Sequence, residues 1–85
     1  MRINIWSCNF DIPTKHGYST RGYLDKTWDD GKCPVDINEL KVGNRINYRF
    51  PDDWRNRNYI CRVKEIKPYL GEMHVQVEVM NIRED

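Results

Sequence analysis

The segment from Phe50 to Tyr59 gathers the side chains best suited to touching a nucleic acid: Phe50, Trp54, Arg55, Asn56, Arg57, Asn58 and Tyr59. Guanidinium groups neutralise phosphate, aromatic rings stack on bases, and amides read base edges. Arg45, Arg49 and Arg62 flank the segment. The candidate contact set, for nucleic acid or another partner, is therefore Arg45, Arg49, Trp54, Arg55, Arg57, Tyr59 and Arg62. The same residue types also suit a polar hairpin loop, with asparagines supplying turn geometry and Trp54 capping the interior. Because side chains alternate along a strand, these arginines are expected to divide between two faces rather than form one patch.

Net charge is +1, so no global field points to a polyanion or a membrane. The distribution is uneven. Between Lys41 and Lys67 there are eight basic residues against three acidic ones, a local +5, whereas Pro68 to Asp85 carries −3 and the first forty residues −1. Such asymmetry fits an anion-binding face.

Catalytic and metal-binding chemistry finds little footing. Structural zinc draws on closely paired ligands such as Cys-x-x-Cys. Cys8, His16, Cys33, Cys61 and His74 are scattered instead, so they read as free thiols and surface imidazoles. The carboxylate pairs Asp29-Asp30 and Asp52-Asp53 sit in turn contexts, and neighbours in a turn diverge, whereas acid–base pairs must converge across a cleft. No nucleophile elbow, phosphate-binding glycine loop or His-Glu metal motif is present. The expectation is a non-enzyme without cofactor or metal. A second candidate surface is the loop Thr14 to Tyr23, where Gly17-Tyr18 and Gly22-Tyr23 put large amphipathic rings on flexible backbone. These tyrosines serve equally well as covers for a small core.

The elements that would position these residues are strands. Alanine is absent, whereas Ile and Val together occur fourteen times. Alanine is the best helix former, and β-branched residues fit a pleated, half-buried surface. Eighty-five residues make one domain with a thin core, and ten aromatics supply bulk that three leucines cannot. Arg2 to Phe10 reads as an opening strand and Asp11 to Arg21 as a loop. Tyr23 to Trp28 reads as a short strand closed by the turn at Asp29-Asp30-Gly31. Asp36 and Glu39 resemble a cap and its reciprocal partner, opening a single helical turn near 36–41. Ile46, Tyr48 and Phe50 alternate with polar residues, and Pro51-Asp52-Asp53 turns the chain. Tyr59, Cys61 and Val63 form the next inward face. Lys67 to Glu72 is expected to be a hairpin connection of moderate length, after which Val75, Val77 and Val79 point inward. Ile82 to Asp85 are expected to fray. The fold class is mainly β: a small antiparallel barrel or rolled sheet of five to six strands.

The run Leu40-Lys-Val-Gly-Asn-Arg-Ile46, then Phe50-Pro-Asp-Asp-Trp54, Tyr59-Ile-Cys-Arg-Val-Lys-Glu-Ile66 and Val75-Gln-Val-Glu-Val79, resembles a Tudor-like small β-barrel over residues 40–82. The first forty residues lie outside the likeness. Barrels of that kind commonly bind methylated Lys or Arg in an aromatic cage, and related ones bind nucleic acid or proteins. The resemblance implies a cage at Tyr48, Phe50, Trp54 and Tyr59, where several ring faces could surround one cation. Glu78 stands where the family usually carries a further aromatic.

Met1 to Phe10 has no sustained apolar run after a basic start, and no stretch approaches bilayer length. A cytoplasmic protein with reduced thiols and no membrane partner is expected. Its work is read as recognition of nucleic acid through 45–62. The alternative is a protein-binding accessory or inhibitor, of the sort bacterial viruses use against a host enzyme. Either a monomer or a homodimer joined at a strand edge fits.

Overall fold

A computed structural model describes residues 1–13, 19–49 and 57–83 of the chain. Among the described residues seven strands follow in order: β1 (Arg2–Ser7), β2 (Phe10–Pro13), β3 (Ser19–Gly22), β4 (Asp25–Trp28), β5 (Arg45–Arg49), β6 (Asn58–Tyr69) and β7 (Glu72–Arg83). The only helix among the described residues is a 3-10 turn, Ile37–Glu39. Five strands form one curled, half-barrel sheet in the order β4-β1-β7-β6-β5, and β2 pairs with β3 in a separate ribbon. The rolled β architecture read from composition and periodicity is thus the one observed.

Three details differ from the expectation. β1 runs parallel to β7, while every other pairing is antiparallel. Parallel pairing requires a long crossover, and the whole chain between Ser7 and Glu72 supplies it. The expected loop Asp11–Arg21 contains β2 and β3, with residues 14–18 outside the described set. The β6–β7 connection is a tight two-residue turn rather than a moderate loop. Leu70 (φ 48°) and Gly71 (φ 79°) both take the left-handed conformation that such turns demand. Pro68 therefore lies inside a strand.

The β6–β7 hairpin is the spine of the molecule. Each strand has 12 residues, which at about 3.3 Å per residue is roughly 40 Å. The longest molecular dimension is 42 Å against 22 and 20 Å for the others. Two register shifts punctuate the ladder, one between Ile60 and Cys61 and one between Val63 and Glu65. The first leaves Met80 as the extra residue on β7, and the second leaves Lys64 as the extra residue on β6. Each bulge switches the parity of inward positions, so Tyr59, Cys61 and Val63 give way to Ile66, and Val75, Val77 and Val79 give way to Ile82.

The core lies on the inner side of the curl. Ile5, Ile46, Cys61, Val63, Val75 and Val77 are essentially fully buried. Rings extend this aliphatic centre: Trp28 meets Tyr48 edge-to-face at 5.5 Å, and Phe10 meets Tyr59 at 6.1 Å. Asp36 caps the 3-10 turn by accepting from the Asn38 backbone N–H at 2.9 Å. The Asp29-Asp30-Gly31 turn closes as expected, with Lys32 N–H donating to the Asp29 carbonyl at 3.0 Å and Gly31 at φ 76°. Ile82 and Arg83 remain paired within β7, opposite Tyr59 and Asn58. Among the described residues no helix is long and apolar enough to cross a membrane.

β5 covers β6 only from Asn58 to Arg62, and two backbone bonds complete that border, Gly43 N–H donating to the Val63 carbonyl and Val63 N–H to the Asn44 carbonyl. From Lys64 to Tyr69 the outer edge of β6 has no strand beside it among the described residues. In a two-residue hairpin the pair flanking the turn bonds inward. Alternation therefore turns Pro68, which lacks an N–H, toward this open edge.

Candidate nucleic-acid interface

The outer face of the sheet is built from residues alternating with the core set. Its rows follow from the register: Thr27–Asn4–His74–Lys67, then Asp25–Trp6–Gln76–Glu65, then Glu78–Arg62–Arg45, then Asn81–Ile60–Asn47, then Arg83–Asn58–Arg49. Successive rows are one pleat repeat apart, about 7 Å.

Arg45, Arg49 and Arg62 consequently share one face, contrary to the expected split. Arg45 and Arg49 are four residues apart on β5, an even spacing, and Arg62 is the direct cross-strand partner of Arg45. Arg83, not singled out from the sequence, joins them on the far side of Asn58. Arg57 belongs elsewhere: its guanidinium carbon lies 5.7 Å from the centroid of the Tyr59 ring. Trp54 and Arg55 fall outside the described residues, as does Phe50.

The two described members of the suggested cage, Tyr48 and Tyr59, are core residues, 3% and 4% exposed. Register sets them directly opposite each other on the inner face, where they pack with Trp28 and Phe10. Neither ring is presented as a stacking surface or as a cage wall. Their alternation with Asn47, Arg49, Asn58 and Ile60 predicts this inward orientation, which excludes the cage that the resemblance implies at these two positions.

Electrostatics on the face are unequal. The acidic side chains are matched: Glu72 by Arg2 at 3.0 Å, Glu65 by Lys67 at 3.2 Å, and Glu78 by Lys64 at 3.3 Å. Asp25 accepts from Asn4 Nδ2 at 2.9 Å. Arg45, Arg62 and Arg83 have no ion pair among the described residues. Like charges directly opposite on a sheet destabilise it unless something lies between them.

One feature of the same face was not read from the sequence. A cleft of about 390 Å³ opens over β7 beside the arginine rows, with Trp6 and Tyr69 among its walls and His74 and Gln76 on its floor. The His74 and Tyr69 rings meet edge-to-face at 5.5 Å, and His74 Nε2 lies 3.2 Å from Glu72 Oε1. Asn4 underpins Trp6 by donating to Asp25 and to Thr27 Oγ1 at 3.0 Å. The signal lies in β1, where Ile3 and Ile5 alternate with Asn4 and Trp6 and so put the Trp6 ring on the outer face.

The thiols do not converge. Cys8 is exposed, Cys33 intermediate and Cys61 buried, and burial pushes the Cys61 thiol up to about 12. Burial also raises Cys33. Among the described residues no three His, Cys, Asp or Glu side chains are grouped to hold a metal ion. Compared with protein-family models, curated proteins and solved structures, the chain matches none.

Proposed function

We propose that the chain is a non-catalytic recognition module that binds nucleic-acid phosphates through the outer face of its sheet. Arg45, Arg62, Arg49 and Arg83 are its anchors, with Asn47, Asn58 and Asn81 interleaved as polar contacts. One observation carries the reading: the register sets Arg45 against Arg62, while the carboxylates nearby are engaged elsewhere. A phosphate between the two guanidinium groups turns a repulsion into a pair of charge-assisted hydrogen bonds. The test is an oligonucleotide titration over a salt series. Affinity is expected to fall linearly with the logarithm of salt, with a slope of about 0.7 per phosphate contacted in a single strand. Absence of binding to any single or double strand at low salt overturns the reading.

A second reading, recognition of a protein, draws on the hairpin tip. Tyr69 is 61% exposed and Leu70 86%, which puts two large apolar groups at the end of the spine. A Leu70→Asp variant that loses a stoichiometric partner in pull-downs, while oligonucleotide binding stays absent, would favour it.

A further inference from the structure

We infer that the Trp6–His74–Tyr69 cleft is a base-stacking subsite, so that the ligand is single-stranded nucleic acid with one unpaired base seated over β7. This inference rests on the phosphate-binding reading above and adds the strand state and the location of the base.

Three observations meet at the cleft. The first is its chemistry. Trp6 on β1 and Tyr69 on β6 stand on opposite sides of β7, with the His74 ring between them. A nucleobase offers a π-face to each ring, and every base does so, which makes stacking tolerant of sequence. Gln76 on the floor can both donate to and accept from a base edge, and at the rim Lys67 neutralises the Glu65 carboxylate that also lines the cleft, at 3.2 Å.

The second is preorganisation. His74 is held between the Tyr69 ring and the Glu72 carboxylate, and Trp6 rises from a strand whose neighbour Asn4 is buried and bonded to β4. The rings sit on strands rather than on a loop, so little order remains to be imposed when a ligand arrives.

The third is position. The Trp6–Gln76–Glu65 row borders the Glu78–Arg62–Arg45 row, about 7 Å away along the strands. A strand whose base occupies the cleft runs its sugar-phosphate chain onto the unmatched guanidinium groups. A duplex cannot make both contacts, because its bases are already stacked and paired.

The experiment uses three end-labelled probes of equal length at low salt: a mixed-sequence single strand, an abasic strand with the same phosphates, and a duplex. The intact strand is expected to bind about 5- to 150-fold more tightly than the abasic one, the effect of one stacked base. Tyr69→Ser, at an exposed position, should remove most of that preference and leave abasic binding unchanged; Trp6→Leu should act in the same direction. The double variant Arg45→Gln/Arg62→Gln should weaken intact and abasic strands alike. Equal binding of intact and abasic strands overturns the subsite while the arginine face stands. A preference that survives both ring substitutions, or a duplex bound as tightly as the single strand, also overturns it. No binding by any probe removes the phosphate-binding reading and the subsite with it.

Discussion

Replacing Arg45 with Gln removes one of two like charges that the β5–β6 register sets face to face, and the consequence can be worked out for stability and binding together. Directly opposed residues hold their Cβ atoms about 5 Å apart. Two unit charges at that distance in a water-like dielectric repel by about 0.8 kcal/mol, and long flexible side chains relieve part of this by splaying. Arg45 has no ion pair among the described residues, so its removal forfeits no attraction of that kind. Arg62 is the less clean target because Glu78 is its neighbour on β7. Arg45→Gln should therefore stabilise the fold by about 0.2–0.8 kcal/mol at low salt, a gain that disappears at high salt, where charges are screened within a few ångströms. The same substitution should lower the salt slope of single-strand binding by about 0.7. Urea unfolding at about 20 mM and about 1 M salt, paired with anisotropy titrations, measures both. A variant less stable than the parent at low salt would mean that Arg45 is held by a counter-charge, refuting the argument. A stabilised variant with an unchanged salt slope would separate the guanidinium pair from ligand binding.

Other outcomes follow from the fold. Leu70→Asn should stabilise the hairpin by about 1 kcal/mol, because Leu at φ 48° adopts a left-handed conformation that asparagine tolerates; a rise in Tm checks it. Ile5→Ala, at a position with no exposure, should lose about 2–5 kcal/mol by urea denaturation. The Cys61 thiol is raised from 9.0 to about 12, so the folded state holds its proton more firmly than the unfolded chain does. Its contribution is complete below about pH 9 and is lost as pH climbs toward 12, at up to about 1.4 kcal/mol per pH unit. The stability deficit of Cys61→Ala should shrink correspondingly across that window, measured by chemical denaturation at successive pH values. Under native conditions near neutral pH, iodoacetamide should label the exposed Cys8 well before the buried Cys61, as mass spectrometry would reveal.

How far the sequence reveals this molecule depends on the physical range of each signal. Alternation is local, and it correctly set Ile46, Tyr48, Tyr59, Cys61, Val63, Val75 and Val77 inward. The same rule read further would have exposed both bulges, since the inward parity changes from Val63 to Ile66 and from Val79 to Ile82. Register is not local. Whether Arg45 and Arg62 stand together depends on strand pairing, which no count within β5 or β6 can supply. The parallel β1–β7 pairing spans almost the whole chain, so the cleft between Trp6 and Tyr69 joins residues 63 positions apart in sequence. The candidate site was legible in its residue types at Arg45, Arg49 and Arg62. It was not legible in its rings, because Trp6 and Tyr69 come together only through the β1–β7 and β6–β7 pairings.

Pro68 has a bearing on how many copies of this protein can share a solution. A neighbour laying its backbone along the margin of β6 that is open among the described residues would find a ring in place of one hydrogen-bond donor. A strand added at that margin would lack one backbone hydrogen bond at Pro68. The longest strand pair of the molecule thus carries, near its tip, a residue that cannot donate a backbone hydrogen bond to a further strand.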